Sequence, residues 1–400
     1  MKILILTPKP PFPARDGSSL ATAQVIEGLA ARGHQVHVFF LNTSKHRSSP
    51  SDLPGREKIR YTPVSCDTSV RPWPALVSLL FSRIPYTVSR FITRDTVNAL
   101  EELLTGESFD IIQIETLMMT PYLDVVRKHS HAKIIFRPHN VEHIIWSRLA
   151  GNERNPLKRI YFTSLARQIS NYERSVANRS GHLLPISDSD AAAFREWNPQ
   201  AQMMVLPYGV DIKKDTTHPP AGPPVLLFLG ALDWRPNVLG LEWFLREVWP
   251  SLTRRLPQLV FHIAGRNPGT ALQKMIRESP SSGKIIFHGE VEHTDDLFLR
   301  SNLFIVPLFA GSGIRIKILE AIAHGLAVIS TTTGAAGLPL QADKHILIAD
   351  TSESFLKATE KLVNDPQYCS AIRENALLLL KNKFDREALT GDLETFYLQT

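Results

Sequence analysis

Residues 311–338, GSGIRIKILEAIAHGLAVISTTTGAAGL, set glycines, cations and a carboxylate in an order suited to a phosphorylated ligand. Gly311, Ser312 and Gly313 lead from an apolar run ending at Pro307 into a helical pattern. Backbone N–H groups at such a turn and at a helix N-terminus form an anion site. Arg315 and Lys317 stand at the start of the helix, where cations oppose the macrodipole unless an anion binds there. The plainer reading is two solvated charges on a helix face. Glu320, about one turn further on, can accept from both hydroxyls of a ribose, or can be a surface glutamate. Gly325 stops the helix, an apolar run follows at 327–330, and a small-residue loop closes it. Ligands of open α/β sheets sit outside the carboxyl ends of their strands.

The elements that must hold these residues alternate between strand and helix. An apolar run at 2–6, a Pro-rich loop, an amphipathic stretch at 20–32, Gly33 and a second apolar run at 35–41 spell a βαβ unit. Further strands are predicted at 111–114, 133–136 and 182–186, with helices at 96–104 and 161–177. The second half repeats the scheme, with strands at 225–229, 259–264, 284–288, 303–306 and 327–330 and helices at 239–249, 316–324 and 352–363. Between the halves, residues 207–224 hold five Pro and two Gly and read as a linker. The predicted organisation is a domain at 1–206, a linker at 207–224 and a domain at 225–383. An amphipathic tail at 384–400 returns to the first domain. Both domains are Rossmann-like α/β units with parallel sheets, facing a central cleft. Asp188 and Asp190 have the spacing of a metal-binding pair but precede a helical pattern and read as helix-start residues.

Composition narrows the classes. With 400 residues, 43% of them hydrophobic, the chain can bury a large core and is not globally disordered. Two cysteines, Cys66 and Cys369, exclude a disulfide scaffold and fit a reducing cytoplasm. The N-terminal run is too short for a signal segment, and no apolar stretch is long enough to cross a membrane. The net charge of +6 is uneven: residues 1–200 hold 25 Lys+Arg against 18 Asp+Glu, and residues 201–400 hold 20 against 21. A basic half suggests an anionic partner, but scattered basic residues with no recognisable module argue against nucleic acid. Residues 70–92 mix Trp, Phe, Leu and Ile with Arg71, Arg83 and Arg90 and contain no acid. They suit an interfacial or acceptor-facing segment, or a pair of surface helices split by Pro85.

The pattern resembles the retaining GT-B glycosyltransferases of family 4. The resemblance runs through PPFPARDGSS, PHNVEH, GALDWRPNVLGLEWF, FHGEV and most specifically the 311–338 stretch. It implies transfer of a sugar from a UDP- or GDP-linked donor to a saccharide or lipid-linked acceptor hydroxyl, with retention of anomeric configuration. The setting it implies is polysaccharide or glycolipid assembly, in the cytoplasm at the inner face of a membrane, with peripheral contact through 70–92. No metal and no cofactor beyond the donor are expected. His139 is implied to face the donor sugar, with Asn140 and Glu142 supporting its loop. Gly17 lets the backbone approach a phosphate, Gly289 and Val291 flank the turn that reads the base, and Glu320 holds the ribose. The family carries two glutamates separated by seven intervening residues. Here the first position is Ser312, as in a branch with a G-S-G-x-R-x-K-x-x-E pattern. The family's cations after the first strand of the second domain fall on Ala231 and Asn237, so Arg315 and Lys317 are expected to supply that charge. The competing readings are a GT-B sugar-nucleotide epimerase and a non-catalytic sugar-nucleotide binding protein. An NAD-dependent oxidoreductase fits poorly, because the first loop is Pro-rich rather than G-x-G-x-x-G.

Overall fold

The computed structural model describes the chain except Arg15, Arg56, residues 213–221, Pro280, Glu292 and residues 311–313; the side chains of Pro50, Leu80 and Ser282 are also outside it. Gly311, Ser312 and Gly313 therefore lie outside the described residues. The chain forms two compact units, Met1–Gly209 with Arg386–Thr400, and Val210–Asp385.

In the first unit, strands β1 (Lys2–Thr7), β2 (Gln35–Thr43), β3 (Ile59–Cys66), β4 (Ile111–Glu115), β5 (Lys133–Arg137), β6 (His182–Leu183) and β7 (Gln202–Met203) form one sheet. Its order is β3-β2-β1-β4-β5-β6-β7, and every pairing is parallel. Parallel strands need crossover helices, so both faces are covered and the strands read as continuous apolar runs. Leu4, Leu6, Ile112 and Ile114 join one core, while Ile3, Ile5, Val38 and Ile135 join the core on the opposite face. The second unit repeats the plan with β8 (Val225–Leu229), β9 (Val260–Ala264), β10 (Ile285–Gly289), β11 (Leu303–Val306), β12 (Ala327–Ser330) and β13 (Leu347–Ile348), in the order β10-β9-β8-β11-β12-β13. In each sheet the strand order reverses next to the first strand, between β1 and β4 and between β8 and β11. Such a switch point opens a crevice at the carboxyl ends of the strands.

Several elements differ from the sequence-based expectation for local reasons. The first helix starts earlier than expected, spanning Gly17–Ala31, because Asp16 and Ser19 form a reciprocal capping box. Gly17 and Ser18 are thus in its first turn rather than in the loop. β3 contains Pro63, which a sheet tolerates only at an edge, and β3 is the edge strand. The helix expected at 239–249 is helix Arg235–Trp243, a π turn over Phe244–Val248 and helix Trp249–Arg255. Pro250 lacks an N–H and crowds the preceding turn, which accounts for the wider register. Asp188 and Asp190 sit in the first turn of helix Asp188–Trp197, capped by Ser187.

Two glycines set close approaches. A Cβ on Gly28 would meet Thr390 Oγ1 at 2.6 Å, so the first helix packs tightly on helix Arg386–Gln399. A Cβ on Gly240 would meet the Pro307 carbonyl oxygen at 1.9 Å, so helix Arg235–Trp243 lies directly against the end of β11.

Candidate functional site

At the switch point of the first unit a carboxylate is fully buried. Glu115, the last residue of β4, has no exposed surface, and Arg137, the last residue of β5, has 1%. Arg137 Nη1 lies 3.2 Å from Glu115 Oε2 and also donates to the Ala21 carbonyl at 3.2 Å. Thr22 Oγ1 donates to the same carboxylate at 3.2 Å, and Gln113 Nε2 and His139 Nε2 complete the set. Four donors satisfy the carboxylate, as burial of a charge requires. Burial alone would raise the Glu115 carboxyl; the Arg137 guanidinium and His139 outweigh it and hold it at about 2. Just beyond, Thr116 has φ 64° and ψ 162°, a region otherwise left to glycine, and its N–H pairs with the Arg137 carbonyl at 2.9 Å. A β-branched residue there marks stored backbone strain at the exit of β4.

His139 follows β5 and is 5% exposed. Its Nε2 meets Glu115, and its Nδ1 lies 2.9 Å from Ser18 Oγ on the first helix. Burial lowers its basicity, against the opposing pull of Glu115. On the far side of Glu115, Tyr397 of the C-terminal helix donates to Gln113, whose amide in turn donates to Glu115. The result is one hydrogen-bonded chain from Tyr397 through Gln113, Glu115 and His139 to Ser18. Gly17 stands beside its outer end, behind Asp16, whose carboxylate is 2.6 Å from Lys9 Nζ.

Asn140 and Glu142 lead into helix Glu142–Asn152. The buried Glu173 carboxylate, from helix Pro156–Arg179, caps that helix. It accepts from the backbone N–H of Glu142 at 2.6 Å and of His143 at 3.0 Å, and from His143 Nδ1 at 2.8 Å. Burial and the neighbouring Glu173 charge push the Glu142 carboxyl up to about 7, against a hydrogen bond with Asn140.

In the second unit, Arg315 is the N-cap residue of helix Ile316–Ala323, and Lys317 and Glu320 lie on that helix. The Arg315 guanidinium lies 5.3 Å from the centre of the Trp234 ring, a cation–π contact. Burial lowers the Lys317 amine, with Glu320 opposing and Arg266 adding to the shift. Burial raises the Glu320 carboxyl against the pull of Lys317. Arg266, after β9, thus brings a third cation to the cluster, with its Nε 3.5 Å from Asp233. Asn237 donates from its side chain to the Ala231 carbonyl at 3.0 Å and closes the turn after β8. Gly289 ends β10 with φ 70°, and its carbonyl accepts the Gly265 N–H at 2.7 Å, with Val291 just beyond.

Residues 16–209 match the family described as Glycosyl transferase 4-like domain, and residues 223–365 the family described as Glycosyl transferases group 1. The chain is a GT-B-fold protein built of two glycosyltransferase-family domains. It is 22% identical to an "Uncharacterized 44.6 kDa protein in cps region" of Klebsiella pneumoniae, over 98% of each chain. Among solved structures it is similar to sucrose-phosphate synthase from Thermosynechococcus elongatus, with TM-score 0.69 and 17% identity over 100% of this chain and 99% of the other. Anabaena HepE in complex with UDP superposes with TM-score 0.67 at 14% identity, over 100% of both chains. Both are GT-B matches that share the two parallel-sheet domains.

The sequence reading of these glycosyltransferase domains missed Ser18, Gln113, Glu115, Arg137, Glu173, Arg266 and Tyr397. One signal was present: Gln113 and Glu115 are polar at alternate positions of a strand otherwise apolar, hence on one face of it. Two predictions follow from the buried charges. Glu115→Gln leaves Arg137 buried without a counter-charge and should lower stability by about 3–5 kcal/mol, read from urea unfolding at pH 7. In the native chain that contribution is present above pH 4.5 and fades as pH falls toward 2. Glu142 behaves oppositely. The unfolded chain ionises it near 4.5 and the folded chain near 7, so stability drops across that window. Glu142→Gln should therefore raise the melting temperature at pH 8 and leave it unchanged at pH 4.5.

Proposed function

We propose that the chain is a retaining family 4 glycosyltransferase, moving a hexose-type sugar from a UDP- or GDP-linked donor to an acceptor hydroxyl. The observation that carries this reading is the cation cluster of Arg315 and Lys317 at the start of helix Ile316–Ala323, one turn before Glu320 and at the carboxyl side of β11. Cations at a helix N-terminus are held against the dipole, and a diphosphate there relieves both. Glu320 takes the ribose hydroxyls. As the bond between the anomeric carbon and the phosphate oxygen breaks, charge grows on the diphosphate, and these cations stabilise it. The acceptor oxygen bonds to the anomeric carbon on the face the diphosphate leaves, and a phosphate oxygen takes the acceptor proton. The reaction needs no metal. HepE, solved with UDP, and the Klebsiella relative named for a cps region support a nucleotide-sugar donor and polysaccharide assembly. The chain works in the cytoplasm, at the inner face of a membrane.

Thermal-shift measurements with UDP- and GDP-sugars should show stabilisation by one nucleotide class. Arg315→Ala and Lys317→Ala should each weaken that nucleotide by about 10–100-fold, the value of a charge-assisted hydrogen bond. The product should keep the donor's anomeric configuration by NMR. A changed sugar released without acceptor would identify an epimerase instead, and binding without turnover a non-catalytic module.

Peripheral membrane contact belongs to the same proposal. Among the described residues no helix is long and apolar enough to cross a membrane. Helix Pro72–Phe81 leaves Trp73 74% and Phe81 84% exposed, and helix Pro156–Arg179 leaves Leu157 77% exposed. Gln168 ties the two helices, donating to the Ser78 and Ser82 carbonyls at 2.8 and 2.7 Å. Exposed Arg71, Arg83, Lys158 and Arg159 accompany the apolar side chains. Apolar residues beside cations suit an anionic headgroup layer. The chain should sediment with phosphatidylglycerol vesicles and not with phosphatidylcholine, and Trp73→Ala with Phe81→Ala should abolish it; unchanged sedimentation would remove the membrane from the proposal.

A further inference from the structure

Strands β9 and β10 turn one face to the core of the second unit and leave the other partly open. Phe261 and Ile263 belong to that core, and Ile285 and Phe287 pack against it. The alternate positions His262, Ile286 and His288 therefore share the opposite face. β10 is an edge strand, and on this face Ile286 is 44% exposed and His288 is exposed. His262 lies in register between Leu227 of β8 and Ile286 of β10, and only 8% of it is exposed. Its Nδ1 is shut off from solvent and makes no hydrogen bond. The His262 and His288 rings meet edge to face, with centroids 4.9 Å apart and planes at 66°. Arg300, exposed at the end of helix Asp295–Leu299, is the third basic group. Burial, His288 and Arg300 all lower the basicity of His262, and burial and Arg300 lower that of His288. Among the described residues no carboxylate opposes either shift.

We propose that His262, His288 and Arg300 form an anion site of the second unit that takes the phosphoryl group of a small phosphorylated molecule. Three basic side chains from three elements, with no acid acting on them, suit an anion. A metal dication fits poorly. Two imidazoles are too few ligands, Arg300 repels it, and the described residues contain no group of three His, Cys, Asp or Glu that could hold one. A phosphoryl oxygen accepts from the planar guanidinium in a charge-assisted bond. It also supplies the negative charge that both rings need in order to ionise, so binding takes up protons. Inorganic phosphate and a sugar phosphate share this chemistry. Ile286, exposed on the same face, offers apolar surface to the carbon frame of the second and nothing to the first. The site shares no residue with Arg315, Lys317 and Glu320, and it stands apart from the nucleotide-sugar reading above.

The test is calorimetric titration of sulfate, inorganic phosphate, glucose 1-phosphate and glucose into the native chain and into the Arg315→Ala, Lys317→Ala double variant. Sulfate stays a dianion between about pH 5.5 and 7.5, so any pH dependence of its binding belongs to the protein. It should bind the double variant about tenfold more tightly at the lower pH, the effect of one ring gaining its proton on binding. Glucose 1-phosphate should bind more tightly than inorganic phosphate, and glucose should not bind. Arg300→Ala, at an exposed position, should weaken every anion by about tenfold, the value of one charge-assisted hydrogen bond. By NMR, the His262 and His288 ring signals should move with sulfate and titrate at higher pH in its presence. Unmoved ring signals, a pH-independent affinity, equal affinity in Arg300→Ala, or loss of binding in the double variant would overturn the site. Zinc moving both rings where sulfate does not would overturn it in favour of a metal pair. Inorganic phosphate binding as tightly as glucose 1-phosphate would overturn the role of Ile286. None of these outcomes bears on the glycosyltransferase reading, which is tested by nucleotide binding and turnover.

Discussion

Burying the Glu115 carboxylate is the constraint on which the first unit depends. A charge taken out of water costs several kcal/mol even after relaxation, and only complete pairing offsets that cost. Each partner comes from a different element: Thr22 from the first helix, Gln113 from β4, Arg137 from β5 and His139 from the loop after it. The carboxylate thus fixes the ends of two central strands and the start of the helix between β1 and β2. Tyr397 extends the dependence to the end of the chain, because its hydroxyl holds Gln113. The close packing of Gly28 on Thr390 keeps that last helix where Tyr397 can reach. The strained backbone at Thr116 is affordable only because the surrounding bonds over-determine it.

The second unit uses the same strand order but a different electrostatic device. Among the described residues its switch point carries no such buried carboxylate network. It gathers Arg315, Lys317 and Arg266 near one helix start, with Glu320 a turn away. Lys317 and Glu320 lie on one helix and oppose each other's burial, and Arg266 pairs with Asp233. The Trp234 ring lies against the Arg315 guanidinium in a cation–π contact, and burial lowers the basicity of that guanidinium.

The central strands were legible because strands buried on both faces must be apolar throughout. β8, β11 and β12 span the residues at which the apolar runs begin and end. What escaped had weaker local signals. β3 is interrupted by Pro63, and β7 and β13 are two residues long. The helix start at Gly17 escaped because its cap, Asp16, looks like part of the Pro-rich loop. In the site, glycines and cations close in sequence were legible as a local pattern. The Ser18–His139–Glu115 chain was not, because its members are separated by 121 and 24 residues. Glu173 and Arg266 were hidden for the same reason: their partners lie on other elements, and only the fold brings them together.

The two devices also differ in what they can recognise. A cation cluster attracts any anion and discriminates little among sugars. A neutral hydrogen-bond chain anchored on a buried carboxylate has a direction, because each member has a fixed number of donors and acceptors. Reversing it requires protonating His139, which burial opposes.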